Sequence, residues 1–271
     1  MQTAIALLVL VLMTLVMIQI VAAGRFRARI LREAANLRQL PAPEPRRDLP
    51  EIVYAFARKA GADPDHPPCT AALRQKAEIR LKPGGPFAPI EAWQTIALGK
   101  PGFVWDARAD GAVMKFRVLD AYAGGLGHLE ARAFGSVRVA SARGADADVA
   151  EGMRYLAELP WAPDAMLGNR DIHWRQIDAE HVEARIETAG GPARVVFRFS
   201  AEGDIVAVAA QARPATDEKG RPVRYDWRGR FSGYHTLGGR RIPTEAEVGY
   251  LYPSGYEAYF RCEVTGYDVQ P

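Results

Sequence analysis

The spacing of apolar residues changes character several times along this chain. From Ala4 to Ala23 there is no periodicity at all: the run carries no charge, only Thr14 and Gln19 interrupt it, and twelve of its residues are Leu, Ile or Val. About twenty such residues are what a helix needs to cross the hydrocarbon core of a bilayer. Each aliphatic residue favours insertion by roughly 0.3 to 0.6 kcal/mol, so their sum outweighs one Gln near the end. A cleaved signal peptide is the rival reading, because Val21-Ala22-Ala23 is a weak small-residue cleavage pattern. The lack of Lys or Arg ahead of the run, and its length, favour an anchor. Ile30, Leu31, Ala34, Leu37 and Leu40 then continue a helical stripe, and Pro41, Pro43, Pro45 and Pro50 predict a stiff, extended linker.

Leu49-Pro50 followed by Ile52, Val53, Phe56 and Ala57 predicts a short helix ending near Gly61. Beyond the loop Asp63-Pro64 to Pro67-Pro68 the period becomes two. Ala77, Ile79 and Leu81 alternate with charged neighbours, as do Val182, Ala184 and Ile186, then Val195, Phe197 and Phe199, then Ala258, Phe260, Cys262 and Val264. This is the pattern of half-buried antiparallel strands. Turn residues separate them at hairpin spacing: Gly124-Gly125, Gly190-Gly191, Glu202-Gly203, Gly238-Gly239 and Pro253-Ser254-Gly255. One helix interrupts the strands, with Asp146 or Asp148 as N-cap, a stripe of Val149, Met153 and Leu156, and Pro160 as its stop. A short helical turn is expected near Pro163. The fold class that follows is mainly β, or α+β. It has an N-terminal transmembrane helix (residues 1–24), a basic juxtamembrane helix and Pro-rich linker (25–48), and one antiparallel β domain (49–271). That domain is a large curved sheet or incomplete barrel of about ten to twelve strands with a helix across one face.

Charge distribution narrows the partners. The chain carries a net charge of +3, but Arg25, Arg27, Arg29, Arg32, Arg38, Arg46 and Arg47 all fall within the first fifty residues, against Glu33, Glu44 and Asp48. The remainder is near neutral, so it lacks the footprint of a nucleic-acid binder. The basic excess lies beside the membrane segment, where it attracts anionic headgroups. No basic residue precedes the apolar run, while Arg25, Arg27, Arg29 and Arg32 follow it, which favours a cytoplasmic domain. The bland alternative is that these side chains snorkel to a headgroup layer on either side. Two cysteines, Cys69 and Cys262, form no disulfide framework and are expected to be free.

Catalytic motifs are sparse. Gly124-Gly125-Leu126-Gly127 leads into a strand pattern and not into a helix N-terminus, so it reads as a hairpin turn and not a phosphate cradle. The five His show no i,i+4 pair on a helix and no zinc spacing with Cys beyond His66 and Cys69, so no metal or other cofactor is expected. Aromatic and charged residues cluster at Trp105-Asp106, Asp120 and Tyr122, Arg154-Tyr155 with Glu158 and Trp161, and Trp227 with Tyr234. Brought together in a sheet concavity, these ten are the candidate ligand-binding residues: aromatic walls with a few charges that fix a ligand. The competing reading is that the rings fill the core while Arg154 and Glu158 form an ordinary i,i+4 pair.

Pro101-Gly-Phe-Val-Trp105-Asp-Ala, Asp120-Ala-Tyr122 before a Gly-rich turn, and Arg154-Tyr-Leu-Ala-Glu158 with Trp161-Ala-Pro163 resemble one family in combination with two further stretches. Those are Phe197-Arg-Phe199 before Glu202-Gly203, and Trp227 to Tyr234 followed by Gly239-Arg-Arg-Ile-Pro243. It is a bacterial family of membrane-anchored proteins known only as a domain of unknown function. The resemblance covers most of residues 50–270 and implies an incomplete β-barrel with a helical plug, similar to periplasmic lipoprotein carriers. It also implies a single-pass protein of the bacterial inner membrane. Fold by itself does not assign function. Three functions follow as expectations: a binding module for a lipid or apolar small molecule, held at the bilayer through residues 4–23; a structural or protein-partner module of the envelope; and a hydrolase or isomerase with Asp106, Asp120 or Glu158 as base. The protein partners stay unknown at this point.

Overall fold

A computed structural model describes residues 2–46, 48–110, 115–217 and 219–271; Arg47, one of the stem arginines, lies outside the described residues. Among the described residues there are four α-helices: α1 (Gln2–Leu37), α2 (Glu51–Lys59), α3 (Ala145–Ala157) and α4 (Pro163–Gly168). The first six strands are β1 (Thr70–Ile79), β2 (Ala88–Ala97), β3 (Gly102–Asp110), β4 (Lys115–Ala123), β5 (Leu126–Ala133) and β6 (Val137–Ala142). The remaining seven are β7 (His173–Gln176), β8 (His181–Thr188), β9 (Gly191–Phe199), β10 (Ile205–Thr216), β11 (Pro222–Leu237), β12 (Arg240–Tyr252) and β13 (Gly255–Gln270). Thirteen strands among the described residues exceed the expected ten to twelve; the four-residue β7 is too short to show a period of two.

All strands join one antiparallel sheet in the order β6-β5-β4-β3-β2-β1-β13-β12-β11-β10-β9-β8-β7. The sheet therefore starts and ends at its centre, where β1 pairs with β13. From there β1 to β6 step outward to one edge, and the chain must cross to the opposite edge before β7 to β13 step back. That crossing is α3, a 3-10 turn at Leu159–Trp161, and α4. Right-handed twist accumulates at roughly 20 to 25° per strand, which curls a sheet this wide into a partial barrel. The five turn segments read from the sequence all fall at junctions of consecutive strands, with Gly191 and Gly255 opening β9 and β13. Gly124 and Gly125 both take positive φ, 59° and 83°, as a two-residue hairpin turn requires.

The crossover packs on the concave face against β4 and β5 on one side and β8 to β10 on the other. Its side of the sheet carries the main core, which includes Phe103, Tyr122, Leu156, Phe197 and Phe199. The aspartates expected to cap α3 do other work. The helix begins one residue before Asp146 with Gly144 as its N-cap and no side-chain cap. Asp146 pairs with Arg224 at 2.6 Å. Asp148 accepts a hydrogen bond from the Gly127 N–H at 2.8 Å, so it ties the helix to β5. Pro160 ends the helix, and α4 begins at Pro163.

The stem lies against the domain. α1 is one continuous helix, with residues 5–18 all exposed and Phe26, Ile30 and Leu37 buried on the outer face of the sheet against Ala97, Val104, Leu119 and Ala121. Arg29 bonds both Glu33 at 2.7 Å and Glu130 at 2.8 Å. The Pro-rich segment is extended, and it is docked: the Glu44 N–H donates to the Gly168 carbonyl at 3.0 Å, and Arg46 donates to the Ile172 carbonyl at 2.6 Å. Gly99 is required where this segment passes, since a Cβ there would lie 1.9 Å from the Pro41 oxygen.

Close approach of α3 to β5 sets a testable demand. A Cβ on Gly127 would come within 2.5 Å of the Ala147 oxygen and 2.8 Å of the Glu151 Cβ. Gly127→Val is expected to force the helix off the sheet and to destabilise the domain by about 1–3 kcal/mol, the usual cost of overpacking. Urea denaturation measures this; an unchanged midpoint would show that the contact does not hold the crossover.

Candidate functional site

Between the concave face and the crossover lies a cavity of about 650 Å³ with largely apolar walls. Ile79 and Leu81 come from β1 and its turn, Ala107 and Ala109 from β3, Val118 from β4, and Leu129 and Ala131 from β5. They reach the cavity because strand side chains alternate, and these are the inward positions. An aromatic wall stands opposite: Trp227 of β11, Tyr250 of β12, and Tyr259 and Phe260 of β13. The Tyr250 and Tyr259 rings stack at 5.2 Å, and Trp227 Nε1 donates to the Tyr259 hydroxyl at 3.1 Å. Trp105 meets Phe260 edge-on at 6.0 Å and donates to Gln75 Oε1 at 3.0 Å, while Trp161 donates to the Pro243 carbonyl at 2.8 Å. The ring N–H groups are thus satisfied within the wall, and apolar faces are left toward the cavity.

One side of the cavity is ionic. Glu151 and Arg154 on α3 and Glu158 at its C-cap follow one another at i, i+3 and i+7, so a single face carries all three into the cavity. Arg154 lies over the rings of Phe103 and Trp105, 4.8 Å from each centroid. It bonds Asp120 of β4, and Glu158 at 2.9 Å. Glu158 also accepts from the Gln94 amide. Burial raises Glu158 above the ordinary carboxyl range, against the pull of Arg154 and Gln94. Arg213 reaches the same space from β10, where it donates to the Tyr250 hydroxyl and to the Ala150 carbonyl at 3.2 Å and stands 3.8 Å from Glu151.

Glu151 is the odd member. Complete burial, reinforced by the adjacent Asp120 carboxyl, lifts it well above its ordinary value despite Arg213 and Arg154. Asp120 Oδ1 and Glu151 Oε2 are both buried and receive no N–H or O–H donor from elsewhere. A proton held on Glu151 and directed at Asp120 satisfies both atoms, the usual outcome for two carboxyls that share a dry site.

The structure brings six of the ten candidates, Trp105, Asp120, Arg154, Glu158, Trp161 and Trp227, to this cavity. The other four lie elsewhere, each for a geometric reason. Asp106 follows Trp105 on a strand and so points to the outer face, where Arg117 holds it at 2.7 Å and Arg108 at 3.0 Å. Tyr155 is turned about 100° round the helix from Arg154 into the core, where its hydroxyl accepts from Asn169 at 2.9 Å. Tyr122 shares a face with Asp120, but it sits two residues along β4, stacked on Tyr155 at 6.3 Å beneath the crossover. Tyr234 packs edge-on against Phe56 of α2 at 6.2 Å, with its hydroxyl on the Ile205 carbonyl at 2.7 Å.

Sequence reasoning missed Glu151, Arg213, Tyr250 and Tyr259. Glu151 was readable, since its spacing from Arg154 and Glu158 is that of one helix face. Arg213 was not. The β10–β11 register shifts between Ala210 and Arg213, with Ala212 at φ 48°, and this bulge turns Arg213 inward from a position that alternation assigns to the other face. Both cysteines are free, and burial pushes the Cys262 thiol up to about 12. A wider depression of about 940 Å³ occupies the outer face over β1, β2, β12 and β13, walled by charged side chains such as Lys76, Glu78, Glu245 and Arg261. Its open, mixed-charge surface offers no enclosed contact, so the inner cavity is the candidate site.

Residues 39–262 match DUF6544, a family of unknown function. The chain belongs to that family. Among curated protein sequences none matches this DUF6544 chain. Solved structures with a similar chain path include a LolA superfamily protein from Nitrosomonas europaea (9% identity, TM-score 0.38, 81% of this chain and 94% of that one). A DUF1329 family protein from Desulfovibrio piger aligns at 10% identity and TM-score 0.41 over 81% and 90%. A domain described as an outer membrane lipoprotein-sorting protein, from Vibrio parahaemolyticus, aligns at 10% and 0.40 over 81% and 92%.

The raised Glu151 predicts a pH dependence. The folded state holds this proton over a window in which the unfolded chain has released it, so the native state binds more protons there. Stability from this group is full below the ordinary carboxyl value and is lost as pH rises toward the raised one. Glu151→Gln, which keeps the donor and cannot ionise, should flatten the decline of stability between weakly acidic and weakly alkaline pH. Chemical denaturation of both proteins across that range tests it; parallel curves would show that Glu151 is already ionised in the fold.

Proposed function

We propose that this DUF6544 protein is a membrane-tethered binding module whose half-barrel takes up an acyl chain or another apolar ligand. One observation carries the reading: a cavity of about 650 Å³, apolar and aromatic along most of its wall, opens on the concave face. That volume lies within the range of small-ligand sites. The ion cluster at one side gives the cavity a polar end, so an amphiphile fits it better than a plain hydrocarbon. The N-terminal helix is long and apolar enough to cross a membrane, and residues 5–18 are all exposed, which supports an anchor there.

The hydrolytic alternative loses its motive in the geometry. Asp106 is held by Arg117 and Arg108, and Asp120 and Glu158 are held by Arg154, so each of the three nominated carboxylates is engaged in an Arg pair. A purely structural role gains nothing from a cavity of this size.

Native mass spectrometry of the full-length protein, followed by denaturation and lipid identification, should find a stoichiometric amphiphile. Val118→Phe, which fills the cavity from β4, should weaken binding of a fluorescent fatty acid by about tenfold or more, because each displaced methylene removes about 0.8 kcal/mol of burial. Unchanged affinity would place the ligand outside the cavity.

The orientation belongs to the same proposal. Arg25, Arg27 and Arg32 remain exposed just after the apolar run, while Arg29 is engaged by Glu33 and Glu130. A basic flank of this kind favours retention on the cytoplasmic side of the bacterial inner membrane. Protease added to intact spheroplasts should therefore leave the domain uncut; digestion there would reverse the topology.

A further inference from the structure

The geometry points to the β5–β6 hairpin as a bilayer-docking wedge that sets the cavity mouth against the membrane in which α1 is anchored. This rests on the reading of residues 4–23 as a bilayer span, and it adds a second membrane contact that the span does not itself require.

The placement follows from a ladder of contacts between α1 and the hairpin. Glu33 meets His128 at 3.1 Å, Arg29 meets Glu130 at 2.8 Å, and Arg132 lies over the Phe26 ring at 4.3 Å. Ala23 packs on Gly135, and the Ser136 hydroxyl donates to Gln19 Oε1 at 2.5 Å. From Glu33 to Gln19 a helix rises about 21 Å. From His128 to Phe134 at the tip, an extended strand covers about 20 Å. The two run side by side, so the helix leaves the domain in the direction of the hairpin tip. The tip thus sits level with Gln19 to Ala23, at the boundary of the apolar run and about one helical turn inside it.

The hairpin's surface suits that depth. Phe134, Val137 and Val139 are about half exposed, at 54%, 50% and 53%. β6 is exposed along its whole length and is an open sheet edge. Phe134 and Gly135 occupy the two central turn positions with φ 52° and 69°, a conformation that favours Asn and Gly and disfavours Phe. A large ring is thus held outward at the place least suited to it, where burial in acyl chains rewards it. Arg25, Arg27 and Arg138 are exposed around the same level, matching anionic headgroups. Val139 also lines the cavity, as do Leu81 and Phe116, which lie at this same end of β1 and β4. A chain leaving the leaflet at the hairpin would therefore enter the cavity without crossing water.

The test uses the full-length protein in vesicles of phosphatidylcholine and phosphatidylglycerol. In a Cys69→Ser background, a polarity-sensitive fluorophore is attached at Phe134→Cys, at Val137→Cys and, as a control at the opposite end of β2 and β3, at Lys100→Cys. Docking predicts that lipid-borne nitroxides quench the first two and soluble iodide does not, with the reverse at Lys100→Cys. Quenching of the hairpin labels by iodide alone overturns the proposal, and so does excimer formation between pyrene-labelled Val139→Cys copies, which would show β6 edges paired with each other. A second arm uses Phe134→Asp, a residue that tolerates this turn conformation better than Phe. Transfer of a fluorescent fatty acid from vesicles should slow by roughly tenfold or more, as loss of one buried aromatic ring implies, while affinity at equilibrium stays unchanged. An unaltered transfer rate counts against the hairpin as the route of loading. If the wild-type protein binds no fatty acid at all, the cavity reading fails, and the quenching arm still decides the membrane contact.

Discussion

A sheet that begins and ends at its own centre has to send the chain from one edge to the other, and the packing of that crossover is the constraint on which the molecule depends. α3 passes over the concave face with almost no clearance. Gly127 on β5, Gly152 on the helix and Gly190 in the β8–β9 turn each have backbone or side-chain atoms closer than 3 Å to where a Cβ would lie. The helix is thereby fixed against both halves of the sheet. The curl is held at a radius that leaves the core filled beneath the helix and a cavity open beside it.

The ion cluster on α3 belongs to the same contact. Arg154 is half-buried between Asp120 and Glu158 and over two aromatic rings, and such an arrangement is tolerated only when every charge has a partner. Its gain over a hydrophobic contact is one of registry: only one seating of the helix lets Arg154 meet Asp120 on β4 while Glu158 meets Gln94 on β2. A proton held on Glu151 lets one more carboxyl enter the site without one more charge. The result is an apolar cavity with a single polar end, which is the shape of an amphiphile and supports the proposed binding role.

The stem extends this logic to the membrane. Phe26, Ile30 and Leu37 bury themselves on the outer face of β2 to β4, and the proline segment is bonded to the chain around α4. The domain therefore does not hang from a free tether; its pose relative to α1 is set by packing. A fixed pose gives one end of the half-barrel a constant relation to whatever surrounds residues 5–18, and this is why the hairpin beside that helix acquires meaning as a contact surface.

What the sequence by itself determined was set by local rules. Apolar run length gave α1, a period of two gave most of the strands, and paired turn residues gave the hairpins, because each depends on neighbours a few positions away. Strand alternation was equally local and could have excluded Asp106 from any site containing Trp105; helical spacing could have admitted Glu151 beside Arg154 and Glu158. Other features belong to the tertiary structure alone. The pairing of β1 with β13 joins residues nearly two hundred positions apart, and no local pattern encodes it. Arg213 turns inward only because a bulge shifts its register. Tyr122 and Tyr234 carry the same aromatic signal as Trp105 and Trp227, yet they fill the core, because depth beneath the crossover and the position of α2 decide what each ring faces. Strand alternation determined which side chains share a face wherever the ladder is regular; the bulge in β10 and the closure of the sheet around one helix decided which of them line a cavity.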